Sequence, residues 1–285
     1  VRQGNALYKE GRYAEAVRAY ADAERRVPAL PALWLNEGIA CRQLMVPGSK
    51  TPESEAAATC AIASFAKFKE LRPKDPRGDQ LYVQTLFDAD RFETLISMYR
   101  DRLASNPSDL EAINGLIQVY SRWNRWDEAL AWYRKKADIA SQDAEAQYAV
   151  GVFLWQQLAQ RGGGQEKASF DPRPDPNLAD VSKSRAKKYT KEIPVFAQGD
   201  LLGPERAAYA DLGIAYLEKA VALRPNYHEA MTYLNLLYRQ KSFAYFLQPE
   251  LWQACVDEAS RWQKRALESQ NAVPAGDAAR TGPQP

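Results

Sequence analysis

The sequence is short of the residues that most often do chemistry. It holds one histidine, three cysteines and three methionines in 285 residues. The single His228, in NYHEAM, rules out a histidine-rich metal site, and no Ser or Cys beside it forms a nucleophile motif, so it reads as a surface residue at a helix start. Cys41, Cys60 and Cys255 are too few for a disulfide framework and stand at no metal-ligand spacing. Neither sign of charge dominates: 38 basic against 36 acidic residues give +2, so no overall field draws the chain to nucleic acid or anionic lipid. No apolar run approaches the roughly 18 residues of a membrane span. The triple glycine of QRGGGQEKAS lacks the GxxxxGK[ST] spacing and follows no strand pattern, so it reads as flexible punctuation, not a phosphate loop. Neither a cofactor nor a metal is expected.

What is present is the composition of a folded chain, 46% hydrophobic and 26% charged. Seven Trp and fifteen Tyr require a core or a recognition surface to hold them. A period is visible as well. Prolines close apolar helical stretches at Pro28, Pro73 and Pro107, and the last two lie 107 − 73 = 34 residues apart. Adding 34 again reaches Ser141, just before a new amphipathic run. GRYAEAVRAY (11–20) and RWNRWDEALAWY (122–133) repeat one spacing around Ala16 and Ala129.

A 34-residue helix-turn-helix unit resembles the tetratricopeptide repeat. The first unit, GNALYKEGRYAEAVRAYADAERRVP, carries the family pattern at Gly4, Gly11, Tyr13, Ala16, Tyr20, Ala23 and Pro28. The third, DQLYVQTLFDADRFETLISMYRDRLASNP, is degenerate, with Leu95 and Arg102 in place of small residues. Six repeats are expected: an all-α, right-handed α-solenoid over residues 1–270. It is interrupted at about 45–58, 159–204 and 242–254 and followed by a disordered tail, 271–285. In VPGSKTPESEAAA, Thr51 and Pro52 predict a cap and an added turn of helix. The 159–204 segment splits the fifth repeat between its two helices.

The resemblance implies a groove lined by the first helix of each hairpin. The groove residues are Asn5, Tyr8 and Lys9; Leu35, Ile39 and Arg42; Gln80, Gln84 and Phe87; Asn114, Gln118 and Arg122; Tyr148, Val152 and Trp155; and Thr232, Leu236 and Arg239. Some family members clamp a chaperone's C-terminal carboxylate with Lys, Asn and Arg. Here Asn5 matches, but Ile39, Gln80 and Gln84 stand where Asn, Lys and Arg are wanted. A neutral extended backbone or an amphipathic helix therefore fits this groove better than a chaperone tail. Tyr148 and Trp155 serve equally well as core.

Two features lie outside the groove. SKSRAKKYTK gathers Lys183, Arg185, Lys187, Lys188 and Lys191 with no acid. It reads as a solvated helix face, or as a grip on an acidic partner. Next to it, Ile193, Pro194, Val195 and Phe196 form an apolar knot expected to dock on the solenoid. Cys41 and Cys60 lie on the two helices of the second hairpin. They read more simply as two small buried thiols than as a disulfide across the inserted loop.

The resulting expectation is a non-enzymatic scaffold for a protein partner, with no nucleic acid. NYHEAMTYLNLLYRQK resembles bacterial envelope tetratricopeptide proteins, among them outer-membrane lipoproteins that support pilus or gliding machinery. That implies a periplasmic or outer-membrane location and a lipid anchor upstream of Val1, which falls part-way into a repeat. The alternative is a repeat module cut from a larger cytoplasmic enzyme or regulator. An enzyme built around the 159–204 insertion would need an acid–base pair there.

Overall fold

The computed structural model describes residues 1–160, 167–170, 191–194 and 201–272. The chain divides into two compact units, Val1–Arg125 and Trp126–Pro285. Unit 1 runs α1 (Arg2–Lys9), α2 (Tyr13–Glu24), α3 (Pro31–Leu44), α4 (Pro52–Leu71), α5 (Pro76–Asp88), α6 (Phe92–Ser105) and α7 (Leu110–Arg122). Unit 2 holds α8 (Trp126–Ile139), α9 (Ala144–Gln160), β1 (Lys167–Phe170), β2 (Lys191–Pro194), α10 (Gly203–Leu223), α11 (His228–Ser242) and α12 (Pro249–Ala272). A 3-10 turn, Phe243–Tyr245, joins α11 to α12. The boundary between units falls in the turn of the fourth hairpin. No helix among the described residues is long and apolar enough to cross a membrane.

The helices begin where capping chemistry places them. Thr51, Asp75 and Asp109 accept from the main-chain N–H of Ser54, Arg77 and Ala112 at the heads of α4, α5 and α7. Proline occupies the first turn of α3, α4 and α5, where its missing N–H leaves no helical bond unmade. Inside the hairpins the chain turns through left-handed backbone at Gly11 (φ 75°), Asp90 (φ 53°) and Asn124 (φ 57°). The last two are 124 − 90 = 34 residues apart, so the repeat period reappears in the backbone. Asp and Asn tolerate this conformation better than other residues with a side chain.

Within the first, second and fifth hairpins a glycine lets the second helix approach. A Cβ on Gly4 would meet the Tyr20 ring at 2.5 Å, one on Gly38 the Phe65 ring at 2.6 Å, and one on Gly151 the Leu217 side chain at 2.3 Å. Tyr20, Phe65 and Leu217 are fully buried by this contact. The same device joins successive hairpins where Gly115 of α7 faces Tyr99 of α6 and Gly213 of α10 faces Leu237 of α11. α9 and α10 thus close one hairpin although more than forty residues separate their sequences.

The interruptions take different forms. The first is a loop, 45–51, and residues 52–58 simply lengthen α4 to 20 residues. Ser54 stitches that loop down, its hydroxyl accepting from Val46 N at 2.9 Å and donating to Val46 O at 3.1 Å. In the second, β1 and β2 pair antiparallel, Lys167 opposite Pro194 and Phe170 opposite Lys191. The pair lies inside the interruption and leaves the all-α repeat fold as expected; of the basic stretch 182–191 the described residue, Lys191, opens a strand. The strand pair was hidden because two short segments twenty residues apart carry no mutual signal until they meet. Lys183, Arg185, Lys187, Lys188, Val195 and Phe196 lie outside the described residues, as do the triple glycine and residues 273–285.

The neck of that insertion is held by Arg206, which is fully buried. Its guanidinium donates to Leu201 O at 2.8 Å, to Leu158 O at 3.3 Å, and to Gln240 through both its carbonyl, at 3.1 Å, and its side-chain oxygen. One side chain thereby ties the end of α9, the approach to α10 and the end of α11. α12 then packs on α11 through Trp252, Cys255, Ala259 and Ala266, a spacing of three, four and seven that keeps one helix face inward.

Two outcomes follow from these contacts. Gly38→Ala forces a methyl into the Phe65 ring and is expected to cost about 1–3 kcal/mol in urea denaturation. Arg206→Met leaves several buried carbonyls without a donor and is expected to cost roughly 2–4 kcal/mol. Hydrogen exchange should place the second loss in α9–α11 and leave unit 1 unchanged.

Candidate functional site

In unit 1 the first helices of hairpins one and two build a cleft of about 220 Å³, lined by Asn5, Tyr8, Lys9, Tyr20, Asn36 and Ile39. Its centre is the Asn5 oxygen. Because Gly4 lets the Tyr20 ring lie against α1, the Tyr20 hydroxyl reaches Asn5 Oδ1 at 2.8 Å. Asn36 Nδ2, from α3, donates to the same oxygen at 3.0 Å. Both bonds fall on the oxygen and orient the amide. They leave its Nδ2 donor without a partner among the described hydrogen bonds. Tyr8 stacks at 5.2 Å on Tyr13, and Lys9 is exposed at the rim.

Asn36 was missed by matching positions. Counting from Gly38 selects Ile39 as the counterpart of Asn5, since each directly follows a glycine. Residues three apart on a helix share a face, so Asn36 and Ile39 both line the cleft, and the amide is the one that bridges the hairpins.

The next groove residues converge on the turn between α5 and α6. Asp88 receives Arg42 at 2.8 Å on one oxygen and Gln84 at 2.8 Å on the other. Arg122 lies 3.5 Å from Asp90 and stacks at 5.1 Å over Phe87. The inserted loop joins this knot: Gly48 N donates to Asp88 O at 2.9 Å, Lys50 sits 3.7 Å from Asp90, and Arg91 pairs with Glu55. Arg42 and Gln84 are each braced by one bond to Asp88. Gln80 and Gln118 are exposed, and Asn114 is half-buried. Asp88 and Asp90 went unnoticed because nothing in a helix-turn segment marks an acid as the hub for residues 46 and 32 positions away.

In unit 2 the expected residues form an aromatic row. Tyr148 lies 5.0 Å from Tyr227 and 5.6 Å from Tyr233, and Trp155 lies 5.1 Å from Tyr233 at 78°. Tyr148 and Trp155 are half-buried and pack on the core of the unit, as Tyr233 does. The Tyr227 hydroxyl donates to Glu145 at 2.6 Å, and Arg224 pairs with that carboxylate at 2.8 Å. Burial, reinforced by the acids Glu145 and Glu229, pushes the Tyr148 hydroxyl well above the ordinary phenol range. The Tyr148 phenol stays neutral and serves as hydrogen-bonding surface. Val152 and Leu236 are half-buried and Thr232 is exposed. Arg239 is exposed and donates to Asn235 and Gln263 at 3.3 Å.

The residue types that most often do chemistry are placed as follows. His228 lies 3.3 Å from Glu229, and no three His, Cys, Asp or Glu among the described residues cluster as a metal site. Cys255 is buried, and burial raises its thiol out of the reactive range. Cys41 and Cys60 form a disulfide, with Cα atoms 6.0 Å apart. This corrects the reading of two separate thiols. Cys41 near the end of α3 and Cys60 in the middle of the lengthened α4 face each other, because the added turns extend α4 back over the loop.

These hairpins, with their small-residue contacts at repeat positions, have the form of tetratricopeptide repeats. No family model matches the chain. An Hsp70-Hsp90 organizing protein of Triticum aestivum is 24% identical over 182 residues, which cover 62% of this chain. The chain spans only 29% of that protein. Among solved structures, MamA MSR-1 aligns over 85% of this chain and 97% of its own at 12% identity and TM-score 0.40. MamA from Desulfovibrio magneticus RS-1 covers 96% and 94% at 13% identity and TM-score 0.27. A monomeric IFIT1 mutant covers 90% and 46% at 14% identity and TM-score 0.37. At these TM-scores the similarity says nothing about how the two units are arranged.

The disulfide closes a loop with a sequence separation of 19 residues, and closure of that length is worth about 3 kcal/mol. Cys41→Ser/Cys60→Ser, or reduction of the native protein, is expected to lower the stability of unit 1 by about 2–3 kcal/mol. Thiol titration of the unfolded, unreduced chain should find Cys255 alone.

Proposed function

We propose that the chain is a non-enzymatic scaffold that holds an extended or helical segment of a protein partner against the first helices of its hairpins. The observation that carries this reading is the Asn5–Asn36 cleft. An amide is fixed by two bonds to its oxygen, its nitrogen is left to donate, and Tyr8, Lys9 and Ile39 surround it. Such a group recognises the main-chain carbonyl of a segment laid across it, while the aromatic and aliphatic walls take side chains. Exposed Gln80 and Gln118 continue the same amide chemistry along α5 and α7. Pre-formed bonds hold the cleft before binding, which lowers the ordering cost of association.

The partner belongs, in this reading, to a bacterial cell-envelope assembly such as pilus or gliding machinery, with the chain in the periplasm or at the outer membrane. The Cys41–Cys60 disulfide supports an oxidising compartment over the cytoplasm. The NYHEAMTYLNLLYRQK resemblance points the same way.

The test is affinity capture from the native cell envelope with the full chain as bait, compared with Tyr8→Ala/Gln80→Ala/Gln118→Ala. A specific partner retained by wild type and reduced at least tenfold by the folded variant is the expected outcome. Undiminished capture by the variant overturns the groove as the working surface.

A further inference from the structure

The turn between the second and third hairpins carries a local surplus of positive charge. Residues 67–79 hold five cations and three acids, 5 − 3 = +2. Each acid is taken by one cation: Glu70 by Lys67 at 2.8 Å, Asp79 by Lys69 at 2.6 Å, and Asp75 by Arg77 at 2.7 Å. Both Asp75 oxygens bond the Arg77 guanidinium, and Oδ1 also accepts from Arg77 N at 3.1 Å to cap α5. Arg72 and Lys74 are the two left over. Both are exposed, and among the described residues no ion pair or side-chain hydrogen bond holds either one.

Both residues line one hollow. The turn 71–77 borders a space of about 750 Å³, with Leu71, Pro73 and Pro76 as its apolar walls. Its backbone is set in advance. Arg72 N donates to Phe68 O at 2.9 Å and Asp75 N to Arg72 O at 3.0 Å, and the two prolines fix their own φ. We propose that this turn is a second docking site, separate from the groove, that takes an acidic segment of a protein partner. Two carboxylates of that segment pair with Arg72 and Lys74, while the aliphatic stems of its glutamates lie along Leu71, Pro73 and Pro76.

The number and setting of the free cations select the partner. A membrane-binding patch gathers about four to eight Lys and Arg, whereas this turn leaves only Arg72 and Lys74 unpaired. Single-stranded nucleic acid stacks its bases on aromatic rings, and the turn 71–77 contains no aromatic residue. Two neighbouring positive charges on a preformed turn with apolar walls match a pair of acidic side chains. Such pairing speeds encounter and weakens with salt. The site needs nothing from the Asn5–Asn36 cleft, so it stands or falls independently of the groove reading.

Fluorescence anisotropy of labelled hexaglutamate with the full chain, at about 50 mM salt, reads this directly. Arg72→Ala/Lys74→Ala removes two exposed charges and no core contact, so its urea midpoint should match that of wild type. The variant should bind hexaglutamate about three- to thirtyfold more weakly. Lys183→Ala/Lys187→Ala/Lys188→Ala, in the insertion, should bind as wild type does. No measurable binding by wild type overturns the proposal, as does a loss below about threefold in the Arg72/Lys74 variant. An equal or greater loss in the insertion variant overturns it too. Competition by inorganic phosphate as effective as that by unlabelled hexaglutamate shows a simple anion site. Tighter binding to phosphatidylserine vesicles or single-stranded DNA, lost in the Arg72/Lys74 variant, shows a lipid or nucleic-acid site. Either result overturns the assignment to a protein partner.

Discussion

Two helices of a hairpin can close to the thickness of one ring only where one of them carries no side chain. Gly4, Gly38 and Gly151 provide those places, and Tyr20, Phe65 and Leu217 fill them. The contact sets the distance between the helices and hence what each exposed face can hold. It also explains why the motif is sparse. A few positions must be small or large, while the surface between them is free to vary and to carry recognition.

The cleft of unit 1 shows how that constraint turns into a site. Tyr20 fills the space over Gly4 with its ring and uses its hydroxyl to orient Asn5. One residue thus serves both the packing of the hairpin and the presentation of an amide. Asn36 fastens the next hairpin to the same oxygen, and Glu37 beside it faces inward and accepts from Ser64. The disulfide between Cys41 and Cys60 lies one helical turn beyond the Glu37–Ser64 bond, so the second hairpin is braced at two successive levels. A buried carboxyl is costly without a proton or a cation.

Elsewhere the interruptions are fastened more firmly than insertions usually are. Lys50, Gly48 and Glu55 bind the first loop to the α5–α6 turn. Arg206 gathers carbonyls from both sides of the second. A guanidinium suits this role because its donors diverge in a plane and can satisfy several chain ends at once. The solution is local in each case, which allows a hairpin as interrupted as α9–α10 to keep its Gly151–Leu217 contact.

Read as a linear string, the chain already determines the hairpin period, the small and large positions, the Thr51–Pro52 cap, and the interruption of the fifth repeat. These depend on neighbours within one helix or one turn, where residue type and spacing suffice. In the first cleft the selected Ile39 and the unselected Asn36 lie on the same helix face, and Asn36 does the bridging. Only the tertiary structure decided which groove residues are braced by Asp88 and Asp90, which arginine holds the insertion, and that two strands pair inside it. It also decided that Cys41 and Cys60 join. Each of these is a meeting of residues from different helices or strands, set by how far one element slides along another. A composition or a period does not encode that distance, because side chains 19 to 48 residues apart become neighbours only once the small residues have let the helices close.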